Sequence, residues 1–375
     1  MLIDRLQKIE SVINQYGEDQ FAVSFSGGKD STVLSALIDL ALPGNKIPRV
    51  YVNTGIELNM MRDFVLGLAK KDPRVNIIKP QIPIKPMLEK EGYPFKSKPH
   101  AHVVERYNRI GMCPSVESYI DGKWGRQKTC PKKLQYQFTD EFKERLKVSD
   151  LCCVKMKEEP LNEWGKVHNR PIAIVGIMRD EGGRRENAQC LVFSGKAKKD
   201  INGIPDKFQP MSVVTKAWEE WFIKEYQVNI CPIYLPPYNF PRTGCKGCPF
   251  ALNLQNELDT LEKFFPAERK QCEYIWGPAY SEYRKLGYRI QEDHISDIWI
   301  KFENMADDNN CRHIFKQIVS DIPKGESNLY VYLAQEHLYT LLTIDRYYTV
   351  NLYHKLRAAF GDPNVMLIQR RTQHD

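Results

Sequence analysis

No stretch of this sequence comes near the roughly 18 to 20 consecutive apolar residues that a membrane-spanning helix requires. The first residues, Met1-Leu-Ile-Asp-Arg-Leu-Gln-Lys-Ile-Glu10, place apolar side chains at helical spacing between charges, where a secretory leader would be continuously apolar. A helical membrane protein is excluded by this pattern, and the cytoplasm is the expected compartment. The Walker A spacing G-x-x-x-x-G-K-S/T is missing, which disfavours an ordinary P-loop NTPase. Cys-x-x-Cys occurs once, so the doubled knuckle of a structural zinc site is missing as well. His100 and His102 have no second ligand pair at metal-site spacing and read as loop histidines. Charge of one sign is not in large excess either. A net +7 would help bind nucleotides or nucleic acid, but a solvated surface explains it equally well.

What is present is ample for a core: 375 residues, 42% of them hydrophobic, can build one large α/β domain with an accessory region. The most informative stretch is Phe21-Ala-Val-Ser-Phe-Ser-Gly-Gly-Lys-Asp-Ser31. An apolar strand pattern ends in a serine and glycine turn, and an amphipathic helix follows over about 30–41. Gly27 and Gly28 let the backbone pass close to an anion, the first N–H groups of the helix point at it, and Lys29 adds a mobile cation. Ser24, Ser26, Asp30 and Ser31 surround the turn with oxygen ligands, so the sequence predicts a nucleotide site. A second strand is predicted at Val50-Tyr-Val52, followed by Asn53-Thr-Gly55. Strands alternating with helices indicate a Rossmann-like, mainly parallel sheet with helices on both faces. Ligands of such sheets sit at the carboxyl ends of strands, which puts Thr54 and Gly55 in one pocket with the first loop. Thr54 as a simple helix cap is the alternative. Residues from Pro80 to about Gly125 lack clear periodicity and read as loop-rich substrate surface.

Ten cysteines in a chain of this class are not a disulfide framework, since cytoplasmic thiols are kept reduced. Their grouping matters more. Cys152-Cys153 precedes Cys245-Lys-Gly-Cys248, whose flanking glycines free the backbone to turn both sulfurs inward. Four thiolates suit zinc or an iron-sulfur cluster, and adjacent ligands strain a tetrahedron around one small ion. Buried small hydrophobes plus a redox pair remain the bland alternative. Between the pairs, a buried-type strand leads into Arg179, Arg184 and Arg185, candidates to hold phosphate or sulfate oxygens. Cys113 and Cys130, each before a proline, read as loop thiols, and Cys272, in a probable helix near Trp276 and Tyr280, as a packing residue.

Ser26-Gly-Gly-Lys-Asp-Ser31 resembles the PP-loop of the ATP pyrophosphatases. Cys152-Cys-Val-Lys-Met-Lys-Glu-Glu-Pro-Leu161 with the later Cys245 and Cys248 is similar to the cluster segments of adenylyl-sulfate and phosphoadenylyl-sulfate (PAPS) reductases in that superfamily. The resemblance covers about residues 20–250 and implies an adenine nucleotide alpha hydrolase-like (HUP-type) fold. It implies ATP or an adenylyl nucleotide as ligand, with Lys29 and Asp30 in catalytic roles and Mg2+ beside Asp30. Ser24, Ser26, Gly27, Gly28, Ser31, Thr54 and Gly55 bind the nucleotide on this reading, and a 4Fe-4S cluster sits on Cys152, Cys153, Cys245 and Cys248.

Two departures shape the expected activity. Lys29, Asp30 and Ser31 are all present, where the reductases have eroded loops, and no cysteine follows Cys311, where they carry a nucleophilic tail thiol. Both favour an ATP pyrophosphatase that adenylates a substrate oxygen for sulfur transfer, with a nucleic acid acceptor or a sulfur-donor protein among its partners. The rivals are a sulfonucleotide reductase using an external thiol or Cys272, and a non-catalytic nucleotide-sensing module. Homo-oligomerisation stays open. Residues 1–250 form the expected catalytic domain. Residues 251–375 form a mostly helical accessory region without assigned chemistry, with helices over 252–264, 267–286, 310–322, 329–342 and 345–360 and a short strand at 365–368.

Overall fold

The computed structural model describes residues 1–122, 129–194 and 203–290, together with 296–301, 313, 317, 338–342, 355–359 and 365–369. The chain divides into two compact units, Met1–Ser281 and Glu282–Asp375. The expected division after residue 250 and this one differ by two helices, Leu254–Phe264 and most of Pro266–Lys285. Among the described residues no helix is long and apolar enough to cross a membrane.

The first unit is built on six strands: β1 (Phe21–Ser24), β2 (Arg49–Val52), β3 (Val75–Ile78), β4 (Ile172–Ile174), β5 (Leu191–Val192) and β6 (Lys207–Phe208). Their order is β3-β2-β1-β4-β6-β5, parallel throughout except for the β5 edge. The predicted α/β architecture, a mainly parallel sheet with helices on both faces, is the one observed. β1 is the pivot. Phe21, Ala22 and Val23 are all buried because helices cover the sheet, which is why β1 reads as a continuous apolar run and not as an alternating one. From β1 the chain moves outward to β2 and β3, then crosses back to lay β4 on the other side. This reversal opens a crevice at the carboxyl ends of β1 and β4.

The helices that hold this sheet include α1 (Leu2–Tyr16), α2 (Lys29–Ala41) and α3 (Asn59–Ala69). Ile9, Val12 and Ile13 of α1 join Val33, Leu34, Leu37 and Ile38 of α2 and Phe21, Val23 and Phe208 of the sheet in one buried cluster. Arg49 is buried in the same layer without penalty of isolation. Its guanidinium donates to Asp39 Oδ1 at 2.7 Å, Asn45 Oδ1 at 2.8 Å and Ser35 Oγ at 3.0 Å.

The segment between Pro80 and Gly125 departs from expectation. It contains α4 (Ile84–Glu91), α5 (Lys98–Ile110) and α6 (Pro114–Asp121) instead of loop. Pro86, Pro99 and Pro114 sit in the first turns of these helices, where no N–H is lost. Ser97 Oγ accepts from His100 N to cap α5. His100 is therefore no loop residue: it is fully buried among Phe95, Tyr119 and Phe138, its Nδ1 2.9 Å from Tyr119 Oη and its Nε2 2.7 Å from Gln137 Oε1. His102, exposed on α5, lies 3.3 Å from Asp150.

Further along come α7 (Asp140–Arg145), α8 (Glu159–Val167), α9 (Lys216–Glu225), α10 (Leu254–Phe264) and α11 (Pro266–Lys285). The second unit contains a three-stranded antiparallel sheet, β8-β7-β9, from β7 (Ser296–Lys301), β8 (Leu338–Leu342) and β9 (Val365–Gln369). β9 is the predicted strand. β8 replaces the end of the predicted 329–342 helix, because Leu338-Tyr-Thr-Leu-Leu342 pairs along its whole length with β7. His313 and Gln317, both helical, are the described residues of the 310–322 helix, and 355–359 those of the 345–360 helix.

Burial pushes the His100 imidazole down from 6.5 to about 4, with the Gln137 hydrogen bond opposing. Between those values the unfolded chain binds the extra proton, so the stabilisation is complete above about pH 6.5 and is lost as pH falls towards 4. Urea denaturation of the wild type at about pH 7 and about pH 5 is expected to show a loss of about 2 kcal/mol that is absent from the pH response of His100→Gln. Equal pH responses would refute a neutral buried imidazole.

Candidate nucleotide and thiol site

The Ser26–Ser31 turn lies where the sheet reverses. Gly27 has φ +72°, and a Cβ there would stand 2.4 Å from Val65 Cγ2 of α3, so only glycine fits. Gly28 N donates to Ser26 Oγ at 3.2 Å, Ser31 Oγ donates to Gly28 O at 2.9 Å, and Ser26 Oγ and Ser31 Oγ are 3.1 Å apart. The hydroxyls thus brace the turn while the start of α2 faces the crevice. On the β4 side Gly176 closes tightly: a Cβ would lie 3.0 Å from Asp30 O. Lys29 N donates to Tyr234 Oη at 3.3 Å, and that phenol is hydrogen-bonded to Thr243 Oγ1. Tyr234 and Thr243 were not among the candidates, although both belong to the segment leading into Cys245.

The second loop follows β2. Thr54 is buried, its Oγ1 donating to Glu57 Oε1 at 2.6 Å and its N to Glu57 Oε2 at 3.2 Å. It caps no helix, since α3 begins only at Asn59. Gly55 is exposed with φ +79° and open space where a side chain would stand. Ile56 O accepts from Lys246 N at 2.8 Å. That bond ties this loop to the cysteine turn.

The four predicted thiols lie within electrostatic reach of one another. Cys152 and Cys153 open the helical segment that passes through a π-helical turn, Val154–Glu158, into α8. Cys245 and Cys248 lie close enough to affect the proton affinity of Cys152. The Cys153 thiol is pushed down to about 6, chiefly by its hydrogen bond with Cys152 and then by the charges of Lys98 and Lys157. Burial pushes Cys245 and Cys248 upward. Cys245, and then Glu57, hold the Lys157 ammonium above its ordinary value. Among the described residues no three His, Cys, Asp or Glu side chains converge as a single-ion site. The donor set itself, four soft thiols with two cations beside them, fits a group that takes sulfur ligands at separate points.

Helices α10 and α11, to which the sequence assigns no chemistry, hold the cysteine turn. Lys246, between the two cysteines, is buried; its Nζ is 3.0 Å from Glu268 Oε2 and 2.6 Å from Gln271 Oε1. Trp276 Nε1 donates to Lys246 O at 2.9 Å, Gly247 N donates to Glu257 Oε1 at 2.7 Å, and the Tyr280 hydroxyl donates to Gly247 O. Glu268 Oε2 also accepts from Asn59 N at the start of α3, at 3.0 Å. Gly247 has φ +59°, and a Cβ would lie 2.8 Å from Cys272 Sγ. Cys272 is buried as packing, its thiol pushed up to about 12 by that burial.

The arginine loop stands apart from these contacts. Arg179 is exposed, and its Nε donates to Ala188 O at 2.7 Å within the same loop. Arg185 is half-buried, and the Arg184 side chain lies outside the described residues. Neighbouring Asp180 accepts from Lys216 N at 2.9 Å and so fixes the start of α9. One residue of α9 was missed: Glu219, fully buried, with Oε2 3.6 Å from Lys29 Nζ.

The sequence pattern of the phosphoadenosine phosphosulfate reductase domain matches residues 20–122 and 125–251, a span that includes the sheet, both loops and all four clustered cysteines. The chain belongs to this family. An uncharacterized protein of Methanocaldococcus jannaschii is 27% identical over 263 residues, 67% of this chain and 49% of the other, so the chain spans about half the length of that relative. Solved structures with similarity include a PAPS reductase from Candida auris in a phosphate complex, 12% identical, TM-score 0.32, covering 61% of this chain and 88% of that one. A U34-tRNA thiolase from Methanococcus maripaludis with its 4Fe-4S cluster is 16% identical, TM-score 0.31, covering 74% and 79%. An FMN adenylyltransferase from Candida glabrata is 13% identical, TM-score 0.36, covering 64% and 60%.

Because Glu268 serves both Lys246 and the first turn of α3, Glu268→Ala strands a buried ammonium. A loss of about 3–5 kcal/mol in urea denaturation is expected, against a smaller one for Gln271→Ala. A loss under about 1 kcal/mol for Glu268→Ala would show that the pair does not anchor the turn.

Proposed function

We propose that this member of the PAPS reductase family is an ATP pyrophosphatase that adenylates an oxygen of its substrate and so prepares that position for sulfur. The observation that carries the reading is the 2.8 Å bond from Lys246 N to Ile56 O, which fastens the Cys245–Cys248 turn to a loop bordering an intact nucleotide turn. Ser24, Ser26, Gly27, Gly28 and Ser31 would cradle phosphate oxygens, and Thr54 and Gly55 would border the adenosine. In the reaction the substrate oxygen attacks the α-phosphorus, the α–β bridging P–O bond breaks, and pyrophosphate leaves with the electron pair. Lys29 would neutralise charge developing on that leaving group, and Asp30 would help place Mg2+ there. The hydroxyl proton passes to solvent.

Cys152, Cys153, Cys245 and Cys248 are the residues that would hold a 4Fe-4S cluster, which when bound supplies a site for sulfur delivery or orders the active site. Lys157 and Lys98 would offset its negative charge. Arg179, Arg184 and Arg185 are proposed to meet an anionic acceptor, nucleic acid among the classes that a net charge of +7 favours. The nine cysteines among the described residues are free, in keeping with a reducing cytoplasm.

The family match supports a second reading, reduction of adenylyl-sulfate or PAPS to sulfite with an external thiol as electron donor. Cys272 is unsuited to that role, being buried with a raised proton affinity. The two readings separate in one assay series. Anaerobically purified protein is expected to hold about four irons and four sulfides per chain, lost in Cys245→Ser. It is expected to release pyrophosphate from ATP when offered RNA or DNA, with Lys29→Ala slower by about 10²–10³-fold. Sulfite release from adenylyl-sulfate or PAPS that persists without ATP would overturn the adenylation reading.

A further inference from the structure

Glu219 is a carboxylate where helix α9 calls for an apolar side chain. It lies three and four positions before Phe222 and Ile223 and has no exposed surface. Neither carboxylate oxygen meets a hydrogen-bond donor within reach among the described residues. Lys29 Nζ, at 3.6 Å, is its nearest cation, and that side chain keeps 21% of its surface exposed. Lys29 also borders a cavity of about 360 Å3 with Glu220 and Ile223 of α9 and with Tyr234, Asn239 and Phe240, so its stem has room to move. Asp30 lies near enough for its charge to raise the proton affinity of Glu219. An acid held this way is stable in either of two states: ionised with the lysine beside it, or protonated without it.

We propose that Glu219 is a positioning residue that docks Lys29 in the nucleotide-free protein and takes up a proton when a polyphosphate draws Lys29 into the anion site. This deepens the nucleotide-binding reading of Ser26–Ser31 and rests on it. The surroundings fit. Burial first, and the Asp30 charge second, push the Glu219 carboxyl up to about 8, and Lys29 is the group that opposes them. Tyr234, whose phenol reaches Lys29 N, is pushed up to about 12 by burial and stays neutral. On α9 itself, Lys216 and Glu220 are exposed, and Asp180 accepts from Lys216 N at the helix start. When Lys29 leaves, Glu219 loses its cation and gains an anion nearby, and both changes raise its proton affinity further.

Isothermal titration of the full chain with Mg2+ and α,β-methylene-ATP, in buffers of differing ionisation enthalpy, tests this. At about pH 9 the phosphates of the ligand are already ionised. Uptake approaching one proton per nucleotide is expected there, falling towards zero near pH 6, with affinity dropping by up to about tenfold per pH unit above 8. Glu219→Gln, checked for folding by its thermal midpoint, is expected to bind with no uptake and little pH dependence over that range. Binding by the wild type without proton uptake overturns the inference and leaves the nucleotide site standing, as does equal uptake by Glu219→Gln. Absence of nucleotide binding overturns both. Where Glu219→Gln does not fold, Glu219→Met, which places an apolar side chain on that face of α9, serves the same comparison.

Discussion

A buried ammonium persists only beside its counter-charge, and the Lys246–Glu268 pair is the contact on which the site's geometry depends. Both side chains are almost fully buried, so neither has water to fall back on. The pair holds three things at once: the turn between Cys245 and Cys248, the first turn of α3 through Asn59 N, and, through the Lys246 backbone, the loop after β2. A hydrophobic pair could fill the same space but could not direct a backbone N–H toward Ile56 O. This is where α11 becomes part of the site although no residue of it carries chemistry.

The sheet supplies the complementary constraint. Its reversal at β1 leaves the carboxyl ends of β1 and β4 without a crossover above them, and the tight passage of Gly176 past Asp30 fixes the width of the gap. Gly27 sets the depth, since its positive φ brings the turn against Val65. Backbone constraints therefore define the nucleotide side and buried polar contacts define the thiol side. The two sides meet at Ile56.

The readable parts of this molecule were those whose signal is local. Phe21–Ser31 encodes strand, turn and helix start within eleven residues, and the structure places each nearly where the spacing predicts. The two cysteine pairs stand out in the sequence because each is closely spaced, and the fold brings the pairs within electrostatic reach of each other. Helices α4 to α6 were not, because prolines at helix starts and prolines in loops look alike without the three-dimensional cap at Ser97. The β8 strand was missed for a related reason: Leu338–Leu342 is too short for its apolar pattern to separate strand from helix before its partner is known. Lys246 and Glu219 lay beyond reading for a deeper cause. A lysine between two cysteines and a glutamate on an amphipathic helix are ordinary in sequence, and only burial makes them informative.

Of the lysines that border the site, Lys246, Lys157 and Lys29 each have an acidic partner, but the partnerships are unequal. Lys246 is saturated, with acceptors at 3.0 and 2.6 Å on two residues of α11. Lys157 is shared between Cys245 and Glu57 and so belongs to the thiol side. Lys29 has its carboxylate beyond hydrogen-bond range, at 3.6 Å, and it borders a cavity. Swinging Lys246 out would break two short bonds and bury Glu268 without a cation, whereas moving Lys29 breaks none and leaves an acid that can be neutralised by a proton. Under the proposed function, the charge that would reach an incoming phosphate is selected by how loosely each lysine is held. That is an argument from burial and distance, and the order in which the lysines occur along the chain has no part in it.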